Sequence, residues 1–425
     1  MPQSFYISVV VAMQLIAAFA TQLIIVRLVG IGPDTDAYIA AQAVPSVLSA
    51  IIISALQSVW LPRISVLSHN LTAWRIEQAM AQGQAFIMGA GLLCIVWFST
   101  TWWQPILFSG LSTAQLHSAS LFAGPMFIAA ALSTQSALLT IALHTRDRFL
   151  VAEVVAMAGT VVSLILVTIA LPRWGLEIVP WIVAGRALAV YLVQMGLADW
   201  PAVNFKTSLA SAETWRAMRP LLLGASIYKT SPLVDRFLAS QASVGGMTIL
   251  SLAQTAMGAL SILIEKSICM PVTPTLSRFV AEKDYLGLRT AYRAAVKRVT
   301  LVILILSAVF VVVYPIFILA TVRMLKVTQD NAFDIWLLCL LLMGFAYVSA
   351  SGTVIAAGFY ALGDTSTPPK IGIATFPLGV LFKSIGFLAM GIEGLAIGIT
   401  AIYFVMMIAM VFFLEKKINE CIVKA

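Results

Sequence analysis

Seven ionisable residues fall inside apolar stretches long enough to cross a bilayer: Arg186, Lys229, Asp235, Arg236, Glu265, Lys266 and Lys383. A charge at the bilayer centre costs at least about 2.5–3.5 kcal/mol, so each is a candidate for function. Five are basic and two acidic, which gives the interior a net positive charge. A cationic interior favours an anion, and phosphate is the anion that guanidinium and ammonium groups suit best. At about 1.5 Å per helical residue, Lys229 and Glu265 both lie ~15 Å deep and could pair, and Asp235 and Lys383 match at ~20–24 Å. Arg186 sits near mid-depth with no acid at its level. Each pair can also be read as an ion pair fixing helix register, and Arg186 as a side chain bonded to backbone carbonyls. Arg236 and Lys266 can snorkel or face an aqueous cavity.

Other chemistry finds little support. No Gly-x-x-x-x-Gly-Lys-Ser/Thr loop occurs, which argues against ATP hydrolysis within the chain. His69, His117 and His144 are scattered, and Cys94, Cys269, Cys339 and Cys421 show neither metal spacing nor a disulfide framework. An enzyme is not expected, and no cofactor or metal is called for.

The elements that must position these charges are membrane helices. Of the 425 residues 61% are hydrophobic and 10% charged, and the mean hydropathy is +0.99. That leaves too little polar surface for a water-soluble fold of this length. Twelve apolar segments read as spans: about 5–29, 37–61, 83–104, 116–142, 149–172, 176–198, 219–240, 247–274, 299–322, 332–361, 370–391 and 393–414. One set of alternate loops carries most cations, from Arg63 and Arg75 to Lys417 and Lys424, while the other holds only Arg27, Arg173, Arg323 and Lys326. By the positive-inside rule both termini are cytoplasmic. The cations act as orientation signals, so no nucleic-acid partner is expected. Trp102, Trp103 and Trp174 are expected at the outer interface, and Trp60 and Trp200 at the inner one. The basic stretch 278–298, with Tyr285, Leu286, Leu288, Tyr292 and Val296, fits either a helix lying on the inner headgroups or a solvated loop. Pro45, Pro125, Pro180, Pro232, Pro271 and Pro377 mark expected bends.

The chain also repeats itself. Gly175-Leu176-Glu177 opens one span and Gly391-Ile392-Glu393 opens another 216 positions later; Gln42 with Gln254, Pro62 with Pro274, and Ala142-Leu143 with Ala361-Leu362 echo at similar offsets. The expected architecture is an all-α polytopic membrane protein with twelve transmembrane helices in two six-helix bundles, related by a pseudo-twofold along the membrane normal. Residues 1–198 form the first bundle, 199–218 a cytoplasmic linker, and 219–425 the second bundle with a short cytoplasmic tail.

Several segments resemble a known group. Val26-Arg27-Leu28-Val29-Gly30-Ile31-Gly32, Thr35-Asp36-Ala37-Tyr38, Pro45, Leu61-Pro62, Pro274-Thr275-Leu276-Ser277, Thr367-Pro368-Pro369-Lys370-Ile371 and the two Gly-x-Glu motifs are similar to lipid II flippases of the mouse virulence factor family. That family lies within the multidrug, oligosaccharidyl-lipid and polysaccharide exporter superfamily. The resemblance implies a bacterial inner-membrane flippase that carries an undecaprenyl-pyrophosphate-linked oligosaccharide to the outer leaflet by alternating access. Its partners would be the lipid-linked sugar, membrane lipids, and glycosyltransferases or a polymerase of the same pathway. Arg186, Lys229, Arg236 and Lys266 are the candidate pyrophosphate contacts, with Arg27 near the outer gate, and Asp36, Asp235, Lys383 and Glu265 serve in gating or ion pairs.

There are departures from the family. Leu15, Thr21, Gln22, Gln254 and Thr255 stand where the family carries functional charges, so those roles do not transfer. The chain ends after its twelfth span, where the family adds two helices that hold the lipid tail; twelve is the number in O-antigen-type flippases. Asp235 matches an acid that binds sodium in some members, while Lys383 falls on a sodium-site asparagine, which implies that a lysine ammonium replaces the ion. The alternatives are a cation-coupled drug or metabolite antiporter of the superfamily and a non-transporting scaffold for glycan assembly.

Overall fold

The computed structural model describes residues 3–67, 70–198, 208 and 211–424, and its regular elements are all helical. Hydrocarbon offers no partner for backbone N–H and C=O groups, so an apolar chain must satisfy them within each segment. By contacts the chain divides into two compact units, Met1–Met247 and Thr248–Ala425. The first holds α1 (Gln3–Val29), α2 (Pro33–Val66), α3 (Leu71–Phe86), α4 (Leu93–Phe98), α5 (Thr100–Leu107), α6 (Thr113–His144), α7 (Phe149–Trp174), α8 (Ile178–Leu197), α9 (Ala212–Lys229) and α10 (Ser231–Ser240). The second unit begins within α11 (Gly246–Ile264). It continues through α12 (Met270–Ala281), α13 (Tyr285–Val312), α14 (Tyr314–Leu325), α15 (Gln329–Leu341), α16 (Met343–Ala361) and α17 (Thr367–Lys424).

Ten helices among the described residues are long and apolar enough to span a membrane. One of them, α17, is two spans merged across non-helical backbone at Met390 and Gly391. A further crossing is α9 with α10, interrupted at Thr230. The twelve expected segments are thus all helical. The seventh, counted with the second half by sequence, packs against α2 within the first compact unit.

The duplication is written into the backbone. Gly30 and Gly245, Asp147 and Gly363, and Gly175 and Gly391 all take positive φ, at offsets of 215, 216 and 216 residues. These are turn positions that favour glycine or a short polar residue. The two Gly-x-Glu motifs therefore mark equivalent breaks, before α8 and between the two arms of α17.

A buried amide organises one end of the first unit. Gln84 accepts from the Trp60 indole at 3.2 Å and donates to the Ser208 carbonyl at 3.2 Å and to Thr214 Oγ1 at 2.5 Å. It ties α3 to α2 and to the first turn of α9, inside an apolar cluster with Trp74, Leu138 and Met218. Trp60 is accordingly a core residue and not an interfacial belt residue, because its N–H finds a partner inside the protein. Trp102 and Trp174 are exposed and Trp103 is half-buried. Trp200, and most of the linker read as 199–218, lie outside the described residues.

The bends differ in part from the proline pattern. Pro180 falls in the first turn of α8, where no helix hydrogen bond is lost. Helices α3 and α4 are joined by a π-helical segment, Ile87–Leu92, that contains no proline. There a Cβ on Gly89 would lie 2.2 Å from Thr134 Oγ1, so glycine lets this segment lean on α6. A second π segment, Glu265–Cys269, precedes Pro271.

In the second unit the helices close on small residues. A Cβ on Gly386 would meet the Gly394 carbonyl oxygen at 2.1 Å, and one on Gly394 would meet that of Gly386 at 1.9 Å, so the two arms of α17 touch backbone to backbone. The basic stretch 278–298 is not a separate interfacial helix. From Tyr285 onward it is the start of α13, continuous with the ninth span, and Leu288, Tyr292, Ala295 and Val299 are buried inside the unit. Its charges form a clasp with the end of α17. Arg289 and Arg293 reach Glu415 at 2.9 and 2.7 Å, and the Tyr292 hydroxyl donates to the same carboxylate.

Nearby, Lys417 pairs with Asp364 at 2.7 Å, while Asp364 accepts from the Ser366 and Thr367 backbone at 3.0 Å each. Burial pushes the Asp364 carboxyl up, but Lys417 and the hydrogen bonds from Thr367 and Ser366 outweigh it and hold it well below the usual range. An unfolded aspartate titrates near 3.9, so this contribution to stability is complete above that pH and is lost as pH falls through the lower folded value. Asp364→Asn should therefore lower thermal stability at neutral pH by about 1–3 kcal/mol and flatten its decline in acid. Unfolding of the detergent-solubilised protein followed from pH 7 to 3 measures both; parallel curves for the two proteins would show that the Asp364 charge is not involved.

Candidate functional site

Each intramembrane charge has a different environment. Lys229 ends α9, and its Nζ donates to the Ala50 carbonyl of α2 at 3.2 Å. The backbone-carbonyl arrangement considered for Arg186 is thus found at Lys229, and α2 supplies its acceptor. Asp235 is buried on α10 and lies electrostatically beside Arg236.

Arg186 is the ninth of twenty residues in α8, about 12 Å along the helix from Ile178. Its electrostatic neighbour is Tyr38, buried near the start of α2. Among the described residues it makes no hydrogen bond or ion pair. It lines a cavity of about 580 Å³ between α7 and α8.

At the end of the first unit where α1 meets α2, three turns interlock. Asp36 is 2% exposed, and its Oδ2 accepts from the Gly245 N–H at 2.6 Å. Gly245 sits at φ +90°, and a Cβ there would lie 2.5 Å from Ile31 Cγ2. A Cβ on Gly110 would lie 2.0 Å from the Ser240 carbonyl oxygen. The turn at 30–33 is itself pinned by Thr35 Oγ1, which accepts from the Gly32 N–H at 3.0 Å and donates to the Gly30 carbonyl at 3.2 Å. Arg27, in the last turn of α1, is exposed beside this lock.

In the second unit, Lys383 is 1% exposed on the first arm of α17. The second arm presses on it: a Cβ at Gly398 would lie 2.9 Å from the Lys383 Cα. Glu265 and Lys266 are half-buried at the start of the second π segment. No cluster of three or more His, Cys, Asp or Glu able to hold a metal occurs among the described residues.

Sequence reasoning missed Gln84, Gly245 and the Glu415 clasp. The Gly245-Gly246 pair before an apolar span was the available signal for the second, since consecutive glycines mark a turn with positive φ. Nothing in the pattern could announce Gln84, a glutamine among many. Replacing Asp36 by Ala should orphan the Gly245 N–H and cost about 1–3 kcal/mol. Thermal unfolding reads the loss, and Asp36→Asn, which keeps an acceptor, should recover much of it; equal stability of the alanine variant and the wild type would remove the lock.

The comparisons with known proteins agree with this architecture. The family model described as lipid II flippase MurJ matches residues 25–424. A search of curated proteins by sequence gives no match. Among solved structures, the chain is similar to a lipid II flippase MurJ in an inward closed conformation, with TM-score 0.82, 13% identity, and coverage of 98% of this chain and 89% of the other. It is similar to an inward-facing multidrug resistance MATE transporter of the MOP superfamily, with TM-score 0.80, 16% identity and coverage of 96% and 95%. A MOP superfamily transporter from Pyrococcus furiosus, described by the reverse polarity of its binding pocket, matches with TM-score 0.63, 15% identity and coverage of 98% and 95%. At these identities the structures show a shared fold, while the family match covers nearly the whole sequence: the chain belongs to the lipid II flippase MurJ family.

Proposed function

We propose that the protein moves an undecaprenyl-pyrophosphate-linked glycan precursor from the inner to the outer leaflet, with no covalent step. The observation that carries this reading is Arg186: a guanidinium halfway along a membrane helix, with no acid or carbonyl partner among the described residues. Such a group is costly unless an anion visits it, and a phosphate matches its planar fork. The further candidate phosphate contacts are Lys229, Arg236 and Arg27 in the first unit and Lys266 in the second, and the Asp36 lock gates one end of the first unit. The basic end of the chain, where the Glu415 clasp lies, is the cytoplasmic one. The enzymes that build the glycan would deliver cargo there, and a polymerase or glycosyltransferase would receive it on the other side. A drug-cation antiporter would want an acid available in the first unit, but of the buried acids there Asp36 is engaged with Gly245 and Asp235 lies beside the Arg236 cation.

In this reading the Lys383 side chain, buried in the second unit, takes the place of a coupling cation. Wild-type transport should therefore run in sodium-free buffer, and Lys383→Asn should slow it or make it sodium-dependent. Sodium-independent transport at the wild-type rate in that variant would show that Lys383 has no such role.

The central test is reconstitution in vesicles with a lipid-linked sugar whose outer-leaflet exposure is assayed. Arg186→Ala should slow exposure about ten- to a hundredfold, the equivalent of one lost charge-assisted hydrogen bond, and Arg186→Lys should restore part of it. Unchanged exposure in the alanine variant would take Arg186 out of the path, and proton-coupled dye efflux without lipid movement would overturn the flippase reading.

A further inference from the structure

The groove between α7 and α8 combines two features that a bilayer normally keeps apart. Its walls are apolar, with Val154, Val162, Leu166, Trp181 and Val193 exposed along it. Arg186 is the one charged residue among those lining it. Its volume of about 580 Å³ is that of a ligand site. Along α8 the lining runs from Ile178 to Val193, about 22 Å of helix, with Arg186 near its middle.

Two glycines shape the groove. A Cβ on Gly159 would lie 2.6 Å from Val190 Cγ2 and 3.5 Å from Arg186 Cγ, so glycine lets α7 close on α8 where the Arg186 stem leaves the backbone. Gly185 is the opposite case. Nothing lies within 4 Å of where its Cβ would be, so a side chain there would project into the groove without meeting the fold. A glycine kept in mid-helix against its unfavourable propensity, with room beside it, leaves space for something else.

The depth of Arg186 selects the occupant. A resident phospholipid holds its phosphate at the interface, about 15 Å from the midplane of a ~30 Å core. A phosphate reaches the level of Arg186 only while it is being carried across. Apolar walls on either side of the cation suit the apolar chain attached to that phosphate.

We propose that the α7–α8 groove holds the polyprenyl chain of the cargo, with its proximal phosphate on Arg186, during the crossing. This rests on the flippase reading, and the apolar chain adds a requirement which that reading alone does not make. The site would select for chain length as well as for charge.

Gly185→Leu tests it, since the substitution fills the groove, favours helix and meets no neighbour. In reconstituted vesicles, transport of cargo on a long polyprenyl pyrophosphate should fall about tenfold, the scale of a pocket obstructed by a few methyl groups. Cargo on a geranyl pyrophosphate, which leaves most of the groove empty, should be slowed severalfold less. Equal slowing of both, or no slowing of the long chain, would overturn the proposal. A binding arm does not depend on transport: a polyprenyl diphosphate with a photoreactive end, in phosphatidylcholine vesicles, should label α7 or α8. Unlabelled polyprenyl diphosphate should displace it and phosphatidylglycerol should not; labelling elsewhere, or displacement by phosphatidylglycerol, sinks the groove as a cargo site. If the wild type moves neither cargo, the flippase reading fails, and the labelling still decides whether the groove binds this chain.

Discussion

The fold depends on one constraint: inside a bilayer, every charge and every backbone dipole must find a partner within the protein or its cargo. The first unit shows three solutions. Lys229 takes a backbone carbonyl from α2, Asp36 takes a backbone N–H from Gly245, and Arg236 lies beside Asp235. The first two use a neighbour from another element, so Lys229 and Asp36 also fix the packing of the segment that satisfies them. Arg186 is different in kind. Its helix is regular, its depth is central, and the fold gives it a tyrosine neighbour and a groove in place of an acid. Where structure does not compensate a charge, function is the remaining explanation.

The same constraint governs where helices break. An interruption exposes backbone groups, so it must fall at an end or where other groups can serve them. The paired positive-φ positions, Gly30 with Gly245, Asp147 with Gly363 and Gly175 with Gly391, all fall in turns or at the break in α17. Within spans the chain is interrupted at Thr230 and Leu342, and it also loosens by π segments, which shift the hydrogen-bonding register without abandoning it. Near one of these, Cys269 donates its S–H to the Ala350 carbonyl at 3.2 Å, so even the weak donor beside the irregularity is used.

Much of this was legible in the sequence because it is one-dimensional. Span length, apolar composition and the Gly-x-Glu echoes located twelve helical segments and two of their breaks, and short motifs located the family. What escaped is what joins residues far apart. Trp60 reads as a belt residue until Gln84 is seen to accept its N–H, and Gln84 acquires meaning only with Ser208 and Thr214 in place. The basic stretch reads as an interfacial helix because its charges dominate the pattern; Leu288 and Tyr292 are nonetheless buried, since Glu415, 123 residues after Tyr292, neutralises the arginines around them. Arg186 was visible as a mid-span cation, but the groove beside it was not, because it takes two helices to make one.

Glycine illustrates how far residue type falls short of role. Gly386 and Gly394 are small so that two backbones can touch, and a methyl group on either would force the arms of α17 apart. Gly245 is glycine because its φ is positive and Ile31 stands against it. Gly185 has neither reason: its place in α8 is ordinary helix, and its Cβ would enter open space. In a helix packed by its neighbours, such a residue costs stability and gains nothing. In a helix that borders a route for a long apolar chain, it widens the passage at the residue next to the only charge. The position of Gly185 beside Arg186 therefore joins the two requirements of a lipid-linked anion, a place for its charge and room for its chain, on adjacent residues of one helix.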